Sequence, residues 1–177
     1  MAPDRQPLLE LAHEGSLQKD TAELSRGLEV SGNMLLLNPV VEGGVVKRIN
    51  VVGAVIVRDG LILCAQRSFN SNLPGLWEFP GGKIEAGETP REALEREIRE
   101  ELVVDVRTGE QIETTVHEYD FGEVTLTTFY CDLLSGDVTL TEHEAVKWIP
   151  PAELATLKWA PADIPAVRTI VKQLSAA

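Results

Sequence analysis

The chain has 177 residues, 44% of them hydrophobic, and its 16 Lys and Arg against 28 Asp and Glu give a formal net charge of −12. That size suits one ordinary domain with an appendage, and the apolar content supports a packed core rather than global disorder. The acidic balance argues against a general binder of nucleic-acid polymers or anionic membranes, which needs a basic face, but it leaves phosphate-bearing small molecules open because a bound cation reverses the local sign.

Residues 1–46 carry three basic and seven acidic residues, net −4. Leu8, Leu9 and Leu11 fit a short helix, Thr21 to Leu28 another, and Gly43-Gly44 a turn or linker. Met34 is a possible alternative start. No chemistry is visible in this stretch, which reads as an N-terminal extension, and a domain is expected over 47–177. The N-terminus lacks an apolar signal core, and no apolar run approaches the roughly 20 residues of a membrane span, so a cytoplasmic protein without membrane contact is expected.

From Lys47 the patterning sharpens. Ile49 to Val57 is β-branched and apolar and predicts a buried strand. Asp59-Gly60 signals a hairpin turn, with Leu61 to Gln66 as the returning strand. Ser68 to Pro80 reads as loop, and Gly81-Gly82 breaks the chain again. Thr89-Pro90-Arg91-Glu92 has the form of a capping box, and Leu94, Ile98 and Leu102 mark the buried stripe of the helix that follows. Ile112 to Tyr119 and Val124 to Leu133 predict two strands around Gly122, and Trp148 and Ile149 a short third. Asp163 to Leu174 predicts a second helix. Strands interrupted by helices indicate an α/β or α+β sandwich. Cys64 and Cys131 lie in apolar strand-like runs and read as buried thiols; two cysteines make neither a disulfide framework nor a four-cysteine zinc site.

The first helix carries Glu92, Glu95, Glu97, Glu100 and Glu101. Glu97 and Glu101 are four apart and stack on one face about 6 Å apart along the axis, with Glu100 close by. Like charges at that spacing repel, and a divalent cation would offset the repulsion, since converging carboxylates suit Mg²⁺ or Mn²⁺. The Gly81-Gly82-Lys83 turn just upstream can expose backbone carbonyls and place a lysine near phosphates. A glutamate-rich helix by itself is ordinarily a solvated face; the turn beside it is what suggests a metal–phosphate platform.

Residues 82–104, GKIEAGETPREALEREIREELVV, resemble the Nudix hydrolase signature, G-x5-E-x7-R-E-U-x-E-E-x-G-U with U a bulky aliphatic residue. Gly82, Glu88, Arg96, Glu97, Ile98, Glu100, Glu101 and Val104 match; Val103 stands where the signature has its second glycine. The flank Trp77 to Lys83 resembles the MutT-type subgroup, and the resemblance covers about residues 48–174. It implies a Nudix-type α/β/α sandwich with a mixed sheet between helices. It also implies a metal-dependent hydrolase that cleaves nucleoside triphosphates, oxidised or modified ones included, to monophosphate and pyrophosphate. An ADP-ribose or nucleotide-sugar pyrophosphatase, or a non-catalytic nucleotide-sensing module, is the alternative.

By the same resemblance Glu97, Glu100, Glu101 and the Gly81 carbonyl hold Mg²⁺, or Mn²⁺ as a substitute. Glu142 is a further ligand or a solvated loop carboxylate. Glu97 is the chosen general base, oriented by Arg96, and Glu88 supports the loop. Arg67 and Lys83 reach phosphate or are surface cations. Asp163 reads a base edge or caps the second helix, and Glu78 and Phe79 are pocket candidates. The implied partner is a nucleotide, with no nucleic-acid polymer, the chain being a monomer or homodimer. His13, His117 and His143 are scattered and form no nucleophilic triad with other residues. Valine at position 103 is costly in the left-handed conformation that glycine would supply, by about 1–2 kcal/mol, so the helix ends differently or stability suffers.

Overall fold

A computed structural model of the chain describes residues 46–174. The two short helices expected before residue 29, Met34 and the Gly43-Gly44 turn lie outside the described residues.

Strand β1 (Arg48–Arg58) and β2 (Leu61–Gln66) form the expected hairpin. Asp59 and Gly60 both have positive φ, 51° and 75°, the mirror-image turn whose twist matches that of its strands. Helix α1 (Pro90–Leu102) begins with the capping box intact: the Thr89 hydroxyl accepts from the Glu92 amide, and the Glu92 carboxylate accepts from the Thr89 amide. It ends at Val103 with φ 57° and ψ 36°. The helix therefore ends as a glycine would end it, and valine bears the strain with its side chain exposed.

Three expectations are corrected. The run from Ser68 to Pro80 is not all loop, because Trp77–Glu78 forms β3 against Ala65 and Gln66, whose edge offers it backbone partners. The strand expected from Ile112 starts at Asp105 and forms β4 (Asp105–Tyr119). Register shifts between Thr108 and Glu113 break the alternation of inward and outward residues, which hides the first half of the strand from a period-two reading. Two 3-10 turns, Pro151–Thr156 and Pro161–Asp163, were not anticipated, and α2 (Ile164–Leu174) begins one residue after Asp163. Strand β5 (Gly122–Ser135) and β6 (Ala145–Ile149) occupy the expected places.

The sheet runs β3-β2-β1-β5-β4, with β6 also paired to β2. β1 and β5 are parallel and the other pairs antiparallel, so the sheet is mixed. Alternation along β1 builds both cores. Val52, Ala54 and Ile56 face Leu94, Ile98 and Leu102 of α1, whereas Val55 faces Ala166, Val167 and Ile170 of α2. Helices thus cover both faces of the sheet. Cys64 and Cys131 are buried free thiols, and burial pushes each up to about 12. Among the described residues no helix is long and apolar enough to cross a membrane.

One detail of the sheet prepares the site. β1 pairs with β2 only near the hairpin turn. Farther along the same edge residues 80–84 take over: the Ala54 amide donates to the Pro80 carbonyl at 2.8 Å, the Val52 amide to Gly82 at 2.9 Å, and the Ile84 amide to Asn50 at 3.0 Å. The glycine turn is therefore fastened to the central strand of the sheet.

Candidate active site

Each glycine of the turn permits a different close approach. A Cβ on Gly81 would stand 2.1 Å from the Val52 carbonyl oxygen, and φ there is 154°. A Cβ on Gly82 would stand 2.4 Å from the Glu97 carboxyl carbon. Gly81 lets the chain lie against β1, and Gly82 lets the helix carboxylate lie against the turn. The carbonyls of Pro80 and Gly82 are taken by β1, while among the described residues the Gly81 carbonyl between them accepts no hydrogen bond.

Arg96 locks this turn to α1. Its Nε and Nη2 donate to the two Glu88 oxygens at 2.6 and 2.8 Å, and Nη2 also donates to the Lys83 carbonyl at 3.1 Å. Its Nη1 lies 3.0 Å from Glu97 Oε1. Hydrogen bonds from Arg96, and then from the Glu85 amide, hold the Glu88 carboxyl down at about 2. Arg96 in turn is held more firmly protonated than usual, chiefly by Glu88. Glu88 is thus a loop support.

The glutamates of α1 divide by environment. The side chains of Glu97 and Glu101 are 15% and 13% exposed, whereas Glu100 is 61% exposed and reaches only Arg96 Nη1, at 3.4 Å. The loop after β5 closes over the end of the helix. The Thr139 amide donates to the Leu102 carbonyl, and the Thr141 amide and hydroxyl donate to the Glu101 carbonyl at 3.1 and 3.0 Å. This satisfies carbonyls that every helix end leaves open and brings Glu142 and His143 beside Glu101.

Glu101 is the carboxylate best suited to meet a cation. Its Oε2 is buried with no hydrogen-bond partner. Burial pushes its carboxyl up to about 7; His143 opposes that rise, and Glu78, Glu97 and Glu142 add to it. A buried oxygen among other carboxylates is costly unless a proton or a cation meets it. The donor set of carboxylates and a free backbone carbonyl is all oxygen, which suits a hard divalent ion. Among the described residues no three acidic, histidine or cysteine groups stand gathered at ligating distance.

A cavity of about 500 Å³ opens in front of this turn. Its lining includes Gly81, Gly82, Lys83, Glu101, Glu142 and His143. Ile49, Val51, Leu126, Tyr119 and Phe121 pack together as an apolar patch of the same lining, which reaches the turn where Val51 pairs with Lys83, and Tyr119 and Phe121 stack at 4.9 Å. Arg67, Glu78, Phe79 and Asp163 lie on the lining as well. Asp163 is 4% exposed, and its Oδ1 accepts the Phe79 amide at 3.0 Å from 84 residues away. Burial, reinforced by Glu78, raises its carboxyl well above the usual range, against the pull of the Phe79 amide and Arg67. Among the described residues the Phe79 amide is its side chain's hydrogen-bond partner, rather than an amide of α2. Phe79 packs on Trp159 with ring centroids 4.7 Å apart.

Arg67 is engaged within the protein: Nη1 pairs with Glu78 Oε2, and Nε donates to the Asn72 carbonyl at 2.7 Å. Sequence reasoning passed over two residues here. Tyr119 accepts the Ala162 amide on its hydroxyl at 2.9 Å, and His143 sits against Glu78. An aromatic at a hairpin end and a histidine in an acidic loop are weak signals, since only the fold shows what they face.

The NUDIX domain family model matches residues 47–170. The chain is 43% identical over 119 residues to the CTP pyrophosphohydrolase of Escherichia coli (strain K12), covering 67% of this chain and 88% of that protein. It is 38% identical over 94 residues to an 8-oxo-dGTP diphosphatase of Proteus vulgaris, covering 52% of this chain and 84% of that one. Among solved structures it resembles the DNA mismatch repair protein MutT (family Nudix hydrolase) from methicillin-resistant Staphylococcus aureus 252, at 56% identity and a TM-score of 0.61. That likeness covers 72% of this chain and 98% of the other.

Proposed function

The chain belongs to the Nudix hydrolase family, and on that premise we propose that it hydrolyses nucleoside triphosphates, normal or base-modified, to the monophosphate and pyrophosphate. The observation that carries this reading is a cavity whose lining joins an apolar, aromatic patch to the glycine–glutamate turn. The patch fits a nucleobase and the turn a polyphosphate. The relatives named for CTP and 8-oxo-dGTP chemistry support the same substrate class. Retention of Glu97, Glu100 and Glu101 weighs against a purely sensing module.

Glu97, Glu101, Glu142 and the Gly81 carbonyl would hold Mg²⁺, with Mn²⁺ as a substitute and Glu100 joining from the outer flank. Such ions neutralise phosphate charge and acidify the attacking water. Glu97 would serve as general base toward the attacking water, with Arg96 fixing its orientation through the 3.0 Å contact. Lys83, exposed at the cavity lip, meets the outer phosphates. Arg67 holds Glu78 in place and approaches phosphate from the loop side. Asp163, whose burial favours the protonated carboxyl, meets a base edge, while Glu78 and Phe79 complete the pocket. We assign this activity to residues 47–177 and leave residues 1–46 as an extension.

The test is pyrophosphate release from a panel of normal and oxidised triphosphates, with and without Mg²⁺. Release should require the metal, and Glu97→Gln should lower kcat by about 10²-fold or more. No release from any member of the panel with either Mg²⁺ or Mn²⁺ would overturn the reading.

A further inference from the structure

His143 is a buried polar group that the proposed chemistry leaves unused. Its side chain is 5% exposed. Nε2 lies 3.0 Å from Glu78 Oε1. On the other side Nδ1 lies 4.0 Å from Glu101 Oε2, and both of those atoms are buried without a hydrogen-bond partner. Orphaned polar atoms are rare inside proteins, and a facing pair just beyond bonding reach calls for an explanation.

The two carboxylates come from different elements that line the cavity. Glu78 is on β3 beside Arg67 and next to Phe79, whose amide Asp163 receives. Glu101 is on α1 among the glutamates. The backbone around the histidine is tied on both sides as well: the Glu144 amide donates to the carbonyl of Gln66, which pairs with β3, at 2.9 Å, and the Thr141 amide to the Glu101 carbonyl of α1 at 3.1 Å. The two imidazole nitrogens are fixed relative to each other by the ring. Orienting one nitrogen therefore orients the other.

We propose that His143 is a positioning residue that couples Glu78 to Glu101, so that a nucleobase beside Glu78 and a divalent cation at Glu101 favour each other's binding. The first ligand fixes the ring and both carboxylates, and the second meets a site already ordered. The coupling is reciprocal by thermodynamic necessity. This inference rests on the nucleotide reading above.

The experiment measures Mn²⁺ binding to the metal-free full chain by electron paramagnetic resonance, without and with saturating nucleoside. Cytidine, deoxyguanosine and 8-oxo-deoxyguanosine are compared, and the tightest binder is used. A nucleoside has no phosphate with which to touch the cation, so any coupling travels through the protein. In the unaltered chain nucleoside should tighten Mn²⁺ binding by about fivefold or more. His143→Phe keeps the ring and removes both nitrogens; both ligands should still bind, with the coupling factor reduced to one. His143→Gln keeps a donor near the place of Nε2 alone. It should retain the base preference and lose the coupling, which keeps the test decisive if the phenylalanine variant does not fold. Absence of coupling in the unaltered chain when both ligands bind, or an unchanged factor in the variants, overturns the inference alone. If no nucleoside or nucleotide binds, the nucleotide reading falls and this inference with it.

Discussion

Replacing Gly82 by Ala should separate activity from stability. The new Cβ would stand 2.4 Å from Glu97 Cδ and 2.5 and 2.6 Å from its two oxygens. Carbon atoms settle at about 3.5–4.0 Å, so the carboxylate has to retreat by about 1 Å or more. The atoms in the way are the far end of a flexible side chain, so the backbone need not move. Fold stability should therefore stay within about 1 kcal/mol, helped by the lower chain entropy of alanine in the unfolded state. A 1 Å displacement of a catalytic group costs about 10²-fold in rate, and the Arg96–Glu97 contact at 3.0 Å would be lost with it. Gly81→Ala makes the contrast. There the Cβ meets the Val52 carbonyl oxygen at 2.1 Å with φ at 154°, and only backbone movement relieves it. That change should cost several kcal/mol, about 3 or more. Pyrophosphate release and urea unfolding of both variants check the pair. Gly82→Ala with kcat within about threefold of the parent, or with activity lost only in step with stability, would refute the reasoning.

Three further outcomes are expected. Burial holds the Glu101 carboxyl up to about 7, above its unfolded value of about 4.3. Its protonation stabilises the metal-free fold below about 4.3, and that contribution is lost as pH rises through about 7. A cation must displace the same proton, so Mn²⁺ affinity should fall about tenfold per pH unit below 7 in calorimetric titration; a flat profile would count against the assignment. Asp163→Asn keeps an acceptor for the Phe79 amide and should shift base preference with little change in Tm. Asp163→Ala leaves that amide unmet and should cost about 1–3 kcal/mol in chemical denaturation, equal stability of the two variants being the contrary result. Val103→Gly relieves a positive φ at an exposed position and should add about 1 kcal/mol of stability with kcat unchanged, read by thermal unfolding; a lower Tm would show that the valine packs usefully.

Much of this was legible without coordinates, for local reasons. The β1–β2 hairpin announced itself through Asp59-Gly60, and α1 through Thr89, Pro90 and Glu92, because turns and caps are made by residues adjacent in sequence. The glycine–glutamate spacing was likewise local, since a helix fixes where residues four apart will point. The first half of β4 escaped because its register shifts scramble the alternation, and β3 because a two-residue strand exists only where a neighbour offers an edge.

The family signature, the capped helix and the glutamates of α1 lie within one continuous segment and are readable from it alone. Which carboxylates turn inward depends on packing between distant elements. The tertiary structure buries Glu101 under the Thr139–Thr141 closure, leaves Glu100 outside, and sets Asp163 against Phe79 across 84 residues. It also placed His143 between Glu78 and Glu101. Burial and partnership arise from elements distant in the chain, and the protonation of a carboxylate depends on those surroundings rather than on its neighbours in sequence.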